Sequence, residues 1–99
     1  MKNLKITIVR VYITEASKLL NEILDYLQDE VKIRGVTVFR AISGYGESGK
    51  HTSSLLELSL DLPLVIEFFD DREKIKTIIQ HLHSFLKPKH IVFWDANSS

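Results

Sequence analysis

Cysteine is absent from this 99-residue chain, and that single absence removes disulfides, thiolate metal ligands and thiol nucleophiles together. An excess of charge of either sign is also missing: 13 basic and 13 acidic residues cancel. A broad electrostatic surface for nucleic acid or anionic lipid is therefore excluded, and any recognition of an anion has to be local. No apolar run is long enough to span a bilayer, because charged or polar residues interrupt each one. The opening residues alternate like a strand and lack the apolar core and small-residue cleavage site of a signal peptide, so a cytoplasmic location is expected. Glycine is scarce too, with four in the chain. Three of them, Gly44, Gly46 and Gly49, fall between residues 44 and 52.

What is present suits one globular domain spanning 1–99. Hydrophobic residues make up 44% and charged residues 26%, the range of an ordinary folded protein rather than a disordered one. A domain of this size buries roughly 60 to 65% of the surface its unfolded chain exposes.

Apolar periodicity divides the chain into six elements. Residues 4–14 read as a strand with Leu4, Ile6 and Ile8 on one parity and Val9, Val11 and Ile13 on the other. That change of parity fits either a bulge or, preferably, a central strand covered on both faces. From Glu15 to Arg34 the spacing turns helical through Ala16, Leu19, Leu20, Ile23, Leu24, Leu27 and Val31, with Thr14 as N-cap and Gly35 as a left-handed stop. Residues 36–43 form a second strand. A third, from Leu58 to Phe68, has strict period-two alternation and is expected to bend or split at Pro63. A second helix starts at Asp70 or Asp71 and runs to Leu86 before Pro88, and a fourth strand covers 89–94 ahead of a polar tail. Strand, helix, strand, strand, helix, strand is the ferredoxin-like βαββαβ order of the α+β class. Two helices then cover one face of a four-stranded antiparallel sheet. The other face is left bare and partly apolar, which invites self-association, and a closed homotrimer suits three such sheets around an axis.

The segment 44–56 carries the chemistry. Gly44, Gly46 and Gly49 let backbone N–H groups approach an anion, and Lys50 and His51 add donors beside Ser48 and Thr52. The segment does not open a helix with Lys-Ser or Lys-Thr, so it is not a phosphate loop, and the strand after it excludes the dinucleotide fingerprint. The plainer reading, a connection whose glycines serve turn geometry, stands beside that of an effector or partner site. Arg40 lies inside an apolar strand and requires a carboxylate, a ligand or a neighbouring subunit, with Glu67 as the available partner. His81 and His83 are two apart on a helix, the wrong spacing for chelation. No metal site and no catalytic constellation emerges, and an enzyme is not expected.

Taken together, Gly35-Val36-Thr37-Val38-Phe39-Arg40-Ala41-Ile42-Ser43-Gly44-Tyr45-Gly46, then Gly49 and His51, then Leu58-Ser59-Leu60-Asp61-Leu62-Pro63-Leu64-Val65-Ile66-Glu67 and an acidic start to the second helix, resemble the PII-like proteins of the domain-of-unknown-function 190 family. The resemblance covers roughly residues 9 to 94. It implies a ferredoxin-like trimer related to PII nitrogen-regulatory and CutA proteins. It also implies a loop that reaches partner proteins and small effectors, commonly adenine nucleotides, held in clefts between subunits near the loop's base. On that basis Arg40, Gly44, Gly46, Gly49, Lys50 and His51 are the ligand-binding candidates. Ala41 departs from a common family glycine. The turn 14–17 lacks the usual Gly-Lys-Pro element, and residues 86–90 lack the glycine-rich turn with which PII proteins bind ATP. The expected function is a regulatory module that senses a small anionic metabolite or nucleotide and presents the 44–56 loop to a protein partner. The alternative is a CutA-like trimer that binds divalent metal or serves structurally. No cofactor is indicated.

Overall fold

Strand β1 (Leu4–Thr14) is the longest strand among the described residues and the one the sheet is built on. In the computed structural model, which describes residues 3–15, 17–46, 49–52, 62–86 and 89–99, β1 pairs along its length with two antiparallel neighbours. These are β5 (Pro63–Asp70) on one side and β6 (Ile91–Ser98) on the other. Strand β2 (Gly35–Arg40) adds to the outside of β5, giving the order β2-β5-β1-β6. The register of β1 against both neighbours is unbroken from Thr7↔Asp70 to Thr14↔Pro63 and from Leu4↔Ser98 to Val11↔Ile91. There is no bulge at Ile8 and Val9: the double parity belongs to a central strand with apolar residues on both faces.

One face is closed by helix α1 (Leu19–Asp25), a π-helical turn (Tyr26–Glu30) and helix α2 (Arg72–Leu82). Beneath them Val9 and Val11 from β1 and Ile66 and Phe68 from β5 are fully buried against Ile23, Leu27, Ile78 and Leu82. This is the two-helix, four-stranded ferredoxin-like arrangement expected of the sequence.

Several boundaries differ from those expected, each for a local reason. The first helix does not begin after Thr14, because the Glu15 N–H donates to the Leu62 carbonyl at 2.7 Å and Ser17 turns back onto the Thr14 carbonyl. Its N-cap is Lys18, with no side-chain cap bond. At its other end the helix widens: the Val31 N–H reaches Tyr26 O at 3.1 Å and the Ile33 N–H reaches Leu27 O at 2.8 Å. That closing bond places Lys32, not Gly35, in the left-handed region, with φ of 50°. Gly35 instead opens β2 opposite Phe69, where a Cβ would lie 3.1 Å from the ring.

Pro63 is the first residue of β5, a position that requires no donor to the ladder. The expected strand residues Leu58 and Leu60 lie outside the described residues. Helix α2 ends at Leu82, and residues 83–86 continue as turn, with Leu86 still buried. The anticipated polar tail is strand: residues 95–98 complete the ladder of β1, and the Thr7 hydroxyl donates to Asp95 at 2.9 Å. A β1 of 11 residues offers backbone groups that a six-residue neighbour could not satisfy.

Candidate functional site

Between β2 and β5 the chain leaves the sheet as a two-stranded ribbon, β3 (Ser43–Gly46) and β4 (Gly49–Thr52). Its register pairs Ser43 with Thr52, Gly44 with His51, Tyr45 with Lys50 and Gly46 with Gly49. Five of the six expected ligand-binding residues thus stand on one antiparallel ribbon, and of the loop expected over 44–56 the described residues, 44–46 and 49–52, are paired strand. Residues 47, 48 and 53–56 lie outside the described residues. The ribbon's foot is anchored to the start of β5. The Ala41 N–H donates to the Pro63 carbonyl at 2.9 Å, and Gly44 sits where a Cβ would meet the Pro63 ring at 3.4 Å.

Arg40, the sixth candidate, ends β2 at this foot. Its guanidinium pairs with Glu15 and not with Glu67, because even-numbered residues of β2 face the helices while Glu67 lies on the opposite side of the sheet. The pair is open to water: the Arg40 side chain is 65% exposed. A cation with one partner among the described residues and an accessible flank can exchange that partner for an incoming phosphate or carboxylate.

Glu67 pairs instead with Arg10, whose Nε donates to it at 2.8 Å. The Arg10 guanidinium lies 6.0 Å from the centre of the Phe39 ring and 5.8 Å from that of Trp94. Its interaction with Glu67 first, and then with Tyr12, holds its pKa above the ordinary arginine value, so it is a fixed cation. This cluster occupies the middle of the uncovered face, where Tyr12, Phe39, Val92 and Trp94 remain 40 to 46% exposed. Sequence reasoning missed Arg10. The available signal was an arginine on the even parity of a strand whose neighbours in sequence are all apolar.

At the opposite end of the sheet Asp70, 4% exposed, gathers three donors. Oδ1 accepts the Asp71 N–H at 2.7 Å, and Oδ2 accepts the Arg34 N–H at 3.1 Å and faces Lys74 Nζ at 3.2 Å. Burial, the largest single influence, pushes its carboxyl up. Those bonds together outweigh it and hold the pKa below the usual carboxylate value. Asp70 is therefore not the helix cap. Asp71, in extended conformation, is the N-cap, without a side-chain cap bond, and Asp70 ties the turn before β2 to the start of α2.

The histidines are dispersed. His81 stacks on Tyr26 at 4.0 Å beside Phe85, over a cavity of about 310 Å³ that is also lined by Glu22, Asp25, Asp29 and Glu30. Burial, then Glu30, raises the Tyr26 pKa. His90 Nδ1 lies 3.2 Å from the Tyr12 carbonyl. Among the described residues no three His, Asp or Glu side chains converge as metal ligands, and no helix is long and apolar enough to cross a membrane.

Comparison with known proteins bears on this geometry. The model of the DUF190 family, described as Uncharacterized ACR, matches residues 1–98. A UPF0166 protein of Aquifex aeolicus is 31% identical over 93 residues, covering 91% of this chain and 93% of that protein. A UPF0166 protein of Methanocaldococcus jannaschii is 29% identical over 93 residues, covering 90% and 86% respectively. Among solved structures, CPII from Thiomonas intermedia K12, bound to ADP and bicarbonate, superposes with a TM-score of 0.75. That match covers 98% of this chain and 91% of CPII at 17% identity, a likeness that speaks for the fold alone.

Proposed function

The chain belongs to the DUF190 family, and from that premise we propose that it is a PII-like regulatory binding module and not an enzyme. It senses a small anion of the adenine-nucleotide or bicarbonate class in a cleft between copies of itself, at the foot of the ribbon, and presents the ribbon to a protein partner. The assembly is a homotrimer, closed over the sheet face that the helices leave bare.

The observation that carries this reading is the foot itself. Arg40, the Pro63 carbonyl and the first residues of the ribbon converge at one corner of the sheet. The fold is one that CPII uses with ADP and bicarbonate bound. Arg40 supplies charge for the anion, Glu15 holds it in place while the site is empty, and Gly44 packs against Pro63 at the foot.

Thermal-shift and calorimetric titration with ADP, ATP, AMP and bicarbonate, with divalent cations as a separate arm, tests the reading. A ligand that binds the folded chain stabilises it by mass action, about 2.7 kcal/mol at a hundred times its dissociation constant. Stabilisation by a nucleotide or bicarbonate supports the module. Stabilisation by divalent cations alone would replace it with the metal-binding reading.

A further inference from the structure

The face of the sheet turned away from the helices carries, among its described strand residues, one cation and one anion, Arg10 on β1 and Glu67 on β5. They sit directly opposite each other in the β1–β5 register and close at 2.8 Å. Around them are the rings of Phe39 from β2 and Trp94 from β6, so the pair is framed by both edge strands as well as lying at the centre.

Such a surface is selective about what it can dock. Its charges cancel locally, so a polyanion or polycation finds no net attraction, while its exposed rings favour a surface of equally apolar character. Another copy of the same face meets both conditions. Contact would remove Tyr12, Phe39, Val92 and Trp94 from water and would bring no net charge into the interface. The pair, however, would then be desolvated. Arg10 spends Nε on Glu67, and the remaining N–H donors of the guanidinium need acceptors once water is excluded. Only alignments that supply those acceptors avoid burying unmatched donors, whereas an all-apolar face would slide through many registers at similar cost.

We propose that the Arg10–Glu67 pair is the register-setting element of an interface between copies of this chain, fixing how many copies assemble and in what alignment. The proposal rests on the assembly reading given above and adds to it the residues that select one geometry. In the free monomer the pair is a half-exposed surface bridge, with side chains 41% and 27% accessible, and contributes little to folding. In the assembly, loss of one partner strands the other charge in a buried site.

Native mass spectrometry and sedimentation velocity on the full chain, comparing the parent with Glu67→Gln, Glu67→Leu and the double variant Arg10→Met with Glu67→Leu, test this. The parent is expected to give one closed species. The single variants should weaken association roughly a hundredfold or more, with far-UV circular dichroism of the dissociated chain unchanged. The double variant, with no charge left to bury, should regain association but spread over several stoichiometries, because the element that selected one is gone. If the single variants assemble as the parent does, or if the double variant keeps a single stoichiometry, the pair does not set the register. A parent that stays monomeric at every concentration would overturn the assembly reading itself, and the proposal with it, and so is distinguishable from failure of the pair alone.

Discussion

The two faces of the sheet are written in alternate residues of the same strands, yet they differ in nearly every physical respect. On the helix side Val9, Val11, Ile66 and Phe68 are completely removed from water. On the other side Tyr12, Phe39, Val92 and Trp94 are 40 to 46% exposed around a central ion pair. Apolar composition is therefore not what separates them. The separation lies in what covers each: among the described residues the chain supplies two helices for one face and none for the other. The covered face folds the monomer, and the open face is available for contact with something outside it.

The sharpest way to break this comparison is to truncate one aromatic residue on each face. Phe68→Ala, in the core, should cost about 3 to 5 kcal/mol of unfolding free energy. Phe39→Ala, measured on the dissociated chain, should change it by less than about 1 kcal/mol. Equal losses in denaturant melts would erase the distinction between the faces.

Next in size is Asp70, which holds the covered face together at the end where α2 begins. Asp70→Ala leaves the Arg34 and Asp71 N–H groups without their acceptor and should cost about 2 kcal/mol. Because the folded chain holds the Asp70 carboxyl below its ordinary value, the unfolded chain takes up the proton first as pH falls. The associated stability is complete above the ordinary carboxylate range near 4 and is lost as pH drops through the lowered folded value. Asp70→Asn should flatten that acid limb, and an unaltered slope in denaturant melts across acid pH would show that Asp70 is not linked to folding.

Smaller effects are expected at exposed turns. Lys32 has positive φ, so Lys32→Gly should raise stability by about 0.5 to 1 kcal/mol in the same melts, with its carbonyl still able to accept from Lys74. The smallest effect on stability belongs to the ribbon and its foot, where function is expected to be most sensitive. Arg40→Ala should leave the melting midpoint unchanged and weaken nucleotide or bicarbonate binding about tenfold, whereas Glu15→Gln should strengthen it by freeing the cation. Calorimetry showing both variants unchanged would remove the foot from the site. Replacing Lys50 and His51 together with Ala should weaken binding in a salt-dependent way if the ribbon itself touches the anion, while Gly46→Val should impair it at every ionic strength.

Much of this architecture was legible in the sequence because apolar periodicity reports burial directly. The even-numbered residues Leu64, Ile66 and Phe68 and the helical stripe Ile75, Ile78 and Leu82 are buried as their spacing requires. The boundaries were less legible, since they depend on contacts distant in sequence. Residues 95–98 look like a tail until β1 offers them a ladder, and Glu15 looks helical until Leu62 takes its N–H. Arg40 and Glu67 were paired on charge alone. The pleat puts them on opposite faces, and Arg10, whose parity matches that of Glu67 across the register, takes its place. The ribbon of β3 and β4 was hidden for a different reason: glycine-rich sequence carries little strand propensity, and only pairing of one half with the other makes it a strand.

The central claim, that one face folds the chain and the other joins it to its own kind, is tested most directly by sedimentation equilibrium of the unaltered protein at micromolar concentration. The expected mass is three times that of the 11.4 kDa chain, and Trp94→Asp should reduce it to that of a single chain without change in the far-UV spectrum. A parent protein of one chain mass across the accessible concentration range, with its open face still in water, would contradict it.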